Sequence, residues 1–306
     1  MSATYLQALL SGLSVGGIYA LIALSFSITF TTTKTLNFSQ GEFVSFGAFV
    51  GLSVLLLLSG TFDFNAVPAD ASAGLKFPAA VVTAGVLVGV VGIFIFLLAV
   101  RPFAGKPGMS WVMSTIGFGI ILQSLGLVVW GPAVVNVPAP FGEGVIRIFG
   151  AGVRSQELVV LVSAIVIMLV FDQIMRRSLL GKAMRAVAFS PQVASLMGIN
   201  VTLVMVGAFV MSGVLAGFAG VMVAPISTAS LFMGLGFSLK AFAGAIIGGL
   251  NNPRGCIFGG FMLGVIESFV GLWHSEWREI SVFVLIILVL AVRPDGLFGA
   301  RTVDKV

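Results

Sequence analysis

Long apolar runs, separated only by short polar stretches, limit what this chain can fold into more than any motif does. They occupy roughly residues 6–30, 41–59, 78–100, 111–130, 157–174, 201–224 and 278–292, and a further, interrupted pair lies between about 236 and 270. At about 1.5 Å per residue, a run of about 20 residues crosses the roughly 30 Å hydrocarbon layer of a bilayer. Only 9% of the 306 residues are charged, against about 25% in soluble domains, and the mean hydropathy is +1.16. Short alternating strands of the kind that build membrane barrels are absent. The expectation is an all-α polytopic membrane protein: one transmembrane domain over 1–306, a bundle of about 8–9 transmembrane helices, with the pair at 236–270 either short or re-entrant.

Several function classes drop out on composition. The single cysteine, Cys256, allows neither an internal disulfide nor a cysteine metal cluster, and the single histidine, His274, rules out a multi-histidine zinc site. No Walker-type phosphate loop precedes a Lys-Ser or Lys-Thr pair, so the chain supplies no nucleotide site of its own. The first apolar run lacks a strongly basic leader and is longer than a signal core, so it reads as a retained helix. Nothing resembles a nucleophile–base or metal constellation, and the expectation is a protein that is not an enzyme.

The net charge of +5 tracks topology rather than nucleic acid. With the 101–110 and 175–200 loops placed inside, eleven basic residues fall on that side: Lys34, Arg101, Lys106, Arg176, Arg177, Lys182, Arg185, Arg254, Arg293, Arg301 and Lys305. Four fall outside, Lys76, Arg147, Arg154 and Arg278, with Lys240 inside the interrupted pair. Cytoplasmic loops carry the excess of Lys and Arg. The N-terminus is therefore expected outside and the C-terminus in the cytoplasm.

The interrupted pair contains "NNPRG", which breaks a helix. It reads either as two full crossings or as two half-helices meeting in the membrane, where protein would bury the broken ends. Glycines recur there at helical spacing (244, 248, 249, then 255, 259, 260, 264) and again at 213, 217 and 220. Such faces let helices approach closely where lipid removes the hydrophobic drive to associate.

Polar residues inside the runs are the candidates for function. "LNFSQGEF" places Asn37, Ser39, Gln40 and Glu42 between the first two spans. Asn37, Gln40 and Glu42, with Lys240 and Glu267 further along, could line a passage or mark a helix break. The simpler reading, which accounts for most of the polarity, is a short cytoplasmic turn with Asn37 or Ser39 capping the second span and Glu42 in its first turn. Glu267 falls near the outer end of its span, so an interfacial position is favoured over a buried partnership with Lys240. Trp273 and Trp277 flank His274 as an interfacial aromatic belt would.

Residues 175–200, "MRRSLLGKAMRAVAFSPQVASLMGIN", form the longest basic segment outside the spans. Arg176 and Arg177 suit a helix C-terminus, "LLGKAMRAVA" suits a short helix, and Pro191 opens a second one with Ser190 as N-cap and Gly198 as stop. This helix–break–helix arrangement suits either a docking surface or an interfacial anchor.

With these segments in order, the chain resembles the permease subunits of bacterial ABC importers for branched-chain amino acids, of the LivH type. The resemblance rests on "GLSVGGIYALIALSFSITF" followed by "LNFSQGEFVSFGAF", on "GKAMRAVAFSPQVASLMGIN", and on "KAFAGAIIGGLNNPRGCIFGGFMLGVIES", and it covers nearly the whole chain. It implies that the 175–200 loop seats in a cleft of an ATPase, through Gly181, Arg185, Ala186, Ala194 and Gly198. Phe189 and Ser190 depart from the family pattern, which is more often polar or acidic there. The resemblance further implies a second homologous permease subunit, two cytoplasmic ATPase subunits that carry ATP-Mg, and a periplasmic substrate-binding protein, at the bacterial inner membrane. No cofactor is expected on this chain, and no nucleic acid. Related systems carry urea, short amides or other neutral amino acids. A reading from another class, an ATP-independent secondary transporter or channel, would need buried ion-binding carboxylates or internal repeats, for which Glu42 and Glu267 are the scant candidates.

Overall fold

The computed structural model describes residues 2–61, 63–64, 67–68, 70–103, 109–142, 144–148 and 150–299; the basic positions Lys106, Arg301 and Lys305 lie outside them. In chain order the helices are α1 Ser2–Thr33, α2 Gln40–Ser59, α3 Lys76–Ile95, α4 Ser110–Trp130, α5 Ser155–Arg177, α6 Leu179–Phe189, α7 Pro191–Leu196, α8 Val201–Val223, α9 Met233–Gly248, α10 Pro253–Trp273 and α11 Trp277–Val292. A π-helical stretch, Phe96–Val100, and a 3₁₀ turn, Arg101–Phe103, prolong α3. Seven helices are long and apolar enough to cross a membrane: α1, α2, α3 with its prolongation, α4, α5, α8 and α10. The polytopic all-α bundle is thus the observed fold. Helices α9 and α11 have 16 residues each, about 24 Å, which falls short of a perpendicular crossing.

One element has no counterpart in the sequence reading. Strands β1 (Val145–Ile148) and β2 (Ala151–Arg154) pair antiparallel, Val145 opposite Arg154 and Ile148 opposite Ala151. Gly150 takes φ +85° in the turn. The hairpin lies on the segment between α4 and α5, beside the start of α1. It marks one end of the bundle, called here the hairpin end. The opposite, basic end carries the last turn of α1, the α5–α6 junction and the "NNPRG" break.

Helices α1, α8 and α10 form the centre. Helix α1 packs against α10, α8, α5 and α9, while α8 packs against α3 and α2. Glycine makes these approaches possible. A Cβ built on Gly260 or Gly264 of α10 would fall on the backbone of α1 at Ala20 or at Gly12 and Gly16, and one on Gly220 of α8 would fall on α2 at Val44. The small-residue faces read from the sequence are therefore the contacting faces. On the periphery, α4, α5 and α11 present Ile120, Val128, Leu169 and Ile287 outward, as suits a bilayer-facing surface.

The break between α9 and α10 lies at the basic end, not in mid-bundle. Asn252 caps α10, accepting from Arg254 N at 3.2 Å and Gly255 N at 3.3 Å, with Pro253 in the first helical position. Asn251 is exposed beside Lys34, whose Nζ lies 3.4 Å from its Oδ1. Helix α9 begins against the first turns of α2, where Gly234 N donates to Ser45 Oγ at 3.0 Å.

Gly264→Val should lower stability by about 1–3 kcal/mol or more, because the added carbons meet backbone that cannot yield. Gly117→Ala, in a helical position with open space around it, should be neutral or gain up to about 1 kcal/mol. Thermal unfolding of the purified variants in detergent measures both.

Candidate coupling surface and buried polar clusters

The segment joining α5 to α8 builds its shape from local capping. Ser178 Oγ accepts from Gly181 N at 3.0 Å and starts α6; Ser190 Oγ accepts from Val193 N at 3.4 Å and starts α7. Gly198, at φ +81°, ends α7, a conformation that costs a residue with a Cβ, and Asn200 caps α8. Gly181 sits directly on the backbone of Met175, so that α6 folds back tightly on α5. Arg185 Nη1 donates to Met175 O at 2.5 Å, placing a cation on a carbonyl near the C-terminal end of α5.

The five residues that the resemblance assigns to coupling divide by position. Gly181 and Ala194 are buried, Ala186 is half-buried, and Arg185 and Gly198 are exposed. Four large apolar side chains that the sequence reading did not assign to docking stand out instead: Phe189 (91% exposed), Leu196 (88%), Leu179 (83%) and Met197 (77%). They flank the α6–α7 corner, while Val187 and Met184 face inward. For Leu179 and Phe189 the signal was their place at the two ends of "LLGKAMRAVAF", away from the inward Met184 and Val187; Leu196 and Met197 follow in "PQVASLM".

The "LNFSQGEF" stretch is not a solvated turn. Asn37, Ser39 and Gln40 have no exposed surface. Gln40 Nε2 donates to Ser25 Oγ of α1 at 2.6 Å, and its Oε1 accepts from Ser212 Oγ of α8 at 3.0 Å and from Asn37 Nδ2 at 3.2 Å. Ser39 occupies the N-cap position of α2, yet its hydroxyl donates to the carbonyl of Thr115 in α4 instead of accepting from the helix. Asn37 Oδ1 accepts from Ser39 N at 3.1 Å. The turn-capping reading gives way to a tie between α1, α2, α4 and α8. Glu42 is half-buried against Gly119 of α4, with no cation paired to it among the described residues.

Glu267 likewise corrects the sequence reading. It is buried, and its carboxylate accepts from Tyr19 Oη and Lys240 Nζ, each at 2.8 Å. Position along α10 suggested an interface, but the face of α10 that carries Glu267 turns toward α1 and α9. Glu279 at the start of α11 lies 3.9 Å from the same ammonium. Two carboxylates therefore share one cation, and the phenol donates to the buried one of them, which is how a charge persists away from water.

At the basic end Asp172 near the end of α5 receives Arg176 at 2.8 Å and Arg254 of α10 at 3.2 Å. A cavity of about 440 Å³ opens between this bridge, Arg185 on α6 and Asn251–Asn252 at the break. Among the described residues there is no group of three His, Cys, Asp or Glu placed to hold a metal.

The fold is a polytopic helical membrane bundle with a structured loop at one end and polar ties through its middle. The chain matches the family described as branched-chain amino acid transport system, permease component, over residues 8–292, and it belongs to that family. It is 30% identical to the high-affinity branched-chain amino acid transport permease BraD of Pseudomonas aeruginosa, over 99% of this chain and 98% of that protein. It is also 30% identical to its LivH counterpart in Escherichia coli, with the same coverage of both chains. The D-allose transport permease AlsC of Escherichia coli is 27% identical over 88% of this chain and 82% of its own length.

Lys240→Met should cost about 3–5 kcal/mol by leaving Glu267 buried without its cation. The double variant Lys240→Met/Glu267→Gln should recover most of that loss. Thermal unfolding of the single and double variants, read as a cycle, measures the coupling.

Proposed function

We propose that this chain is one transmembrane subunit of an ATP-driven, binding-protein-dependent importer of branched-chain amino acids in a bacterial inner membrane. The observation that carries the reading is the α6–α7 corner: compact, capped at both helices, and bearing four exposed apolar side chains outside the long spans. An interfacial anchor needs one continuous apolar face, whereas a helix–break–helix corner suits insertion into a protein cleft. Its partners are two cytoplasmic ATPases that bind ATP-Mg, a second homologous permease and a periplasmic binding protein. ATP-driven closure of the ATPase pair would displace the 181–198 segment. That displacement would bias the permease pair between two states of exposure, through a difference in contacts between those states.

The family description and the BraD and LivH relatives support the branched-chain substrate. The D-allose relative supports a second reading, the same type of importer for another small neutral solute, including urea, short amides or other neutral amino acids. The basic end faces the cytoplasm in this reading, with the N-terminus in the periplasm.

Reconstituted with its partners, the complex should take up leucine only with ATP. Phe189→Asp and Gly198→Glu should each cut uptake about tenfold or more, as expected when a charge enters an apolar contact. Unaltered uptake in both variants counts against the docking corner, and ATP-independent uptake by this chain alone counts against the importer. In a Cys256→Ala background, Asn251→Cys should react with an impermeant thiol reagent only from the cytoplasmic face.

A further inference from the structure

The cavity of about 440 Å³ at the basic end joins two kinds of wall. It lies where three spans end: the last turns of α1 and α5 and the first turn of α10 enclose it, and α6 runs beside it. The ends of spans stand at the depth of the lipid headgroups. The inner walls are apolar. Leu24 and Ile28 of α1, Phe171 of α5 and Met184 of α6 are buried there, and Ile257 of α10 is half-buried.

The rim is cationic. Arg176, Arg185 and Arg254 line it and are exposed, and Asp172 is the acidic residue that faces them among the described residues. Asp172 Oδ2 lies 2.8 Å from Arg176 Nε, and its Oδ1 accepts from Arg254 Nε and Nη2 at 3.3 and 3.2 Å. One carboxylate therefore serves two guanidiniums, while Arg185 spends Nη1 on the uncharged carbonyl of Met175. Three positive charges against one negative leave an excess of two. Donors remain as well, because a guanidinium carries five N–H bonds. Among the described residues Arg176 Nη1 and Nη2, Arg185 Nε and Nη2, and Arg254 Nη1 are unspent. Lys34, whose Nζ meets Asn251 at the same rim, strengthens the positive field.

We infer that this cavity holds the headgroup end of an anionic phospholipid from the leaflet at the basic end. The phosphodiester takes the unspent donors of Arg176, Arg185 and Arg254, to which the forked guanidinium is suited. The start of an acyl chain lies along Leu24, Ile28, Phe171 and Ile257. A free phosphate would satisfy the arginines but leave that apolar wall wet, so the shared phosphate chemistry points to the lipid. A zwitterionic headgroup would bring a further cation into a cavity already two charges positive, so the headgroup carries net negative charge, as phosphatidylglycerol does. The lipid would pack between α6, which leads to the exposed corner, and the break before α10. This site concerns the bilayer, and it stands or falls independently of the solute transported.

The test uses the full chain purified in neutral detergent, with radiolabelled phosphatidylglycerol or phosphatidylcholine of the same acyl chains, counting the lipid retained per chain across lipid concentrations. Phosphatidylglycerol should be retained saturably and with about tenfold or more higher affinity, an advantage that shrinks at high salt. Arg185→Gln should weaken its binding about fivefold, and Asp172→Asn should strengthen it about fivefold. These opposite signs separate a headgroup site from a structural bridge, since loss of the Asp172 pairs alone would loosen the site just as loss of an arginine does. A single cooperative melt for each variant confirms that folded chains are compared. Inorganic phosphate, exchanged for chloride at constant ionic strength, should not displace the lipid. Equal retention of the two lipids, or weaker binding in both variants, overturns the inference. Displacement by inorganic phosphate also overturns it and identifies a site for a free anion.

Discussion

Helices surrounded by hydrocarbon gain little from burying apolar side chains against one another, so they must approach closely enough for dispersion to hold them. This constraint explains why α10 lies against α1 at Gly12, Gly16 and Ala20, and why α8 lies against α2 and α3 at Gly217 and Gly220. Each approach is set by the absence of a Cβ on one or both partners. Once α1, α8 and α10 are keyed together, the other helices have a fixed surface to meet. The exposed leucines, valines and isoleucines of α4, α5 and α11 then face outward without penalty, because the medium there is as apolar as they are.

Polar groups in such a bundle must find partners inside the protein, and their hydrogen bonds decide which helices act together. Gln40 draws on α1 and α8 at once, while Ser39 reaches α4. Breaking these bonds would strand donors and acceptors in an apolar interior, so the helices they join are expected to shift as one body. The Tyr19–Glu267–Lys240 cluster binds α1, α10 and α9 in the same manner. The short α9, which begins against α2 and ends at the break, is thereby held by charge as well as by glycine contacts.

What the sequence made legible was periodic or local. The apolar runs gave helices at nearly the observed bounds, Ser190 and Gly198 gave the start and stop of α7, and the spaced glycines gave the contact faces. Depth and direction were not legible. Counting along α10 puts Glu267 near a span end, but the face it occupies is set by α1 and α9, which lie far away in sequence. Counting also makes "LNFSQGEF" a surface turn, because nothing local shows that Ser25 and Ser212 wait for Gln40. The hairpin was missed because "VIRIFGAGVR" carries too weak an alternation to stand out beside long apolar runs. The cavity among α1, α5, α6 and α10 is visible only once those helices are assembled.

Helix α5 connects the two ends of the bundle. Its first turn lies beside the hairpin, and its last turns supply Asp172, Met175 and Arg176 to the cavity shared with α1, α6 and α10. It alone among the seven long helices contains no glycine, so its own side chains hold it at ordinary distances from most neighbours, the approaches of Gly17 to Ala164 and of Gly181 to Met175 excepted. At each end it is tethered by polar contacts, Ser11 to Glu157 and Arg254 to Asp172. A helix of 23 residues, about 34 Å long, is stiff along its axis. Gly181 and Arg185 on α6 bear directly on its Met175, so a push on the α6–α7 corner would reach α5 as well as α8, which α6 and α7 also touch. Ridge-and-groove contacts between ordinary side chains can slip by small steps, whereas backbones keyed through glycine cannot. The part of the bundle best placed to carry movement from one end to the other is therefore the part built with few of the close contacts that fix the rest.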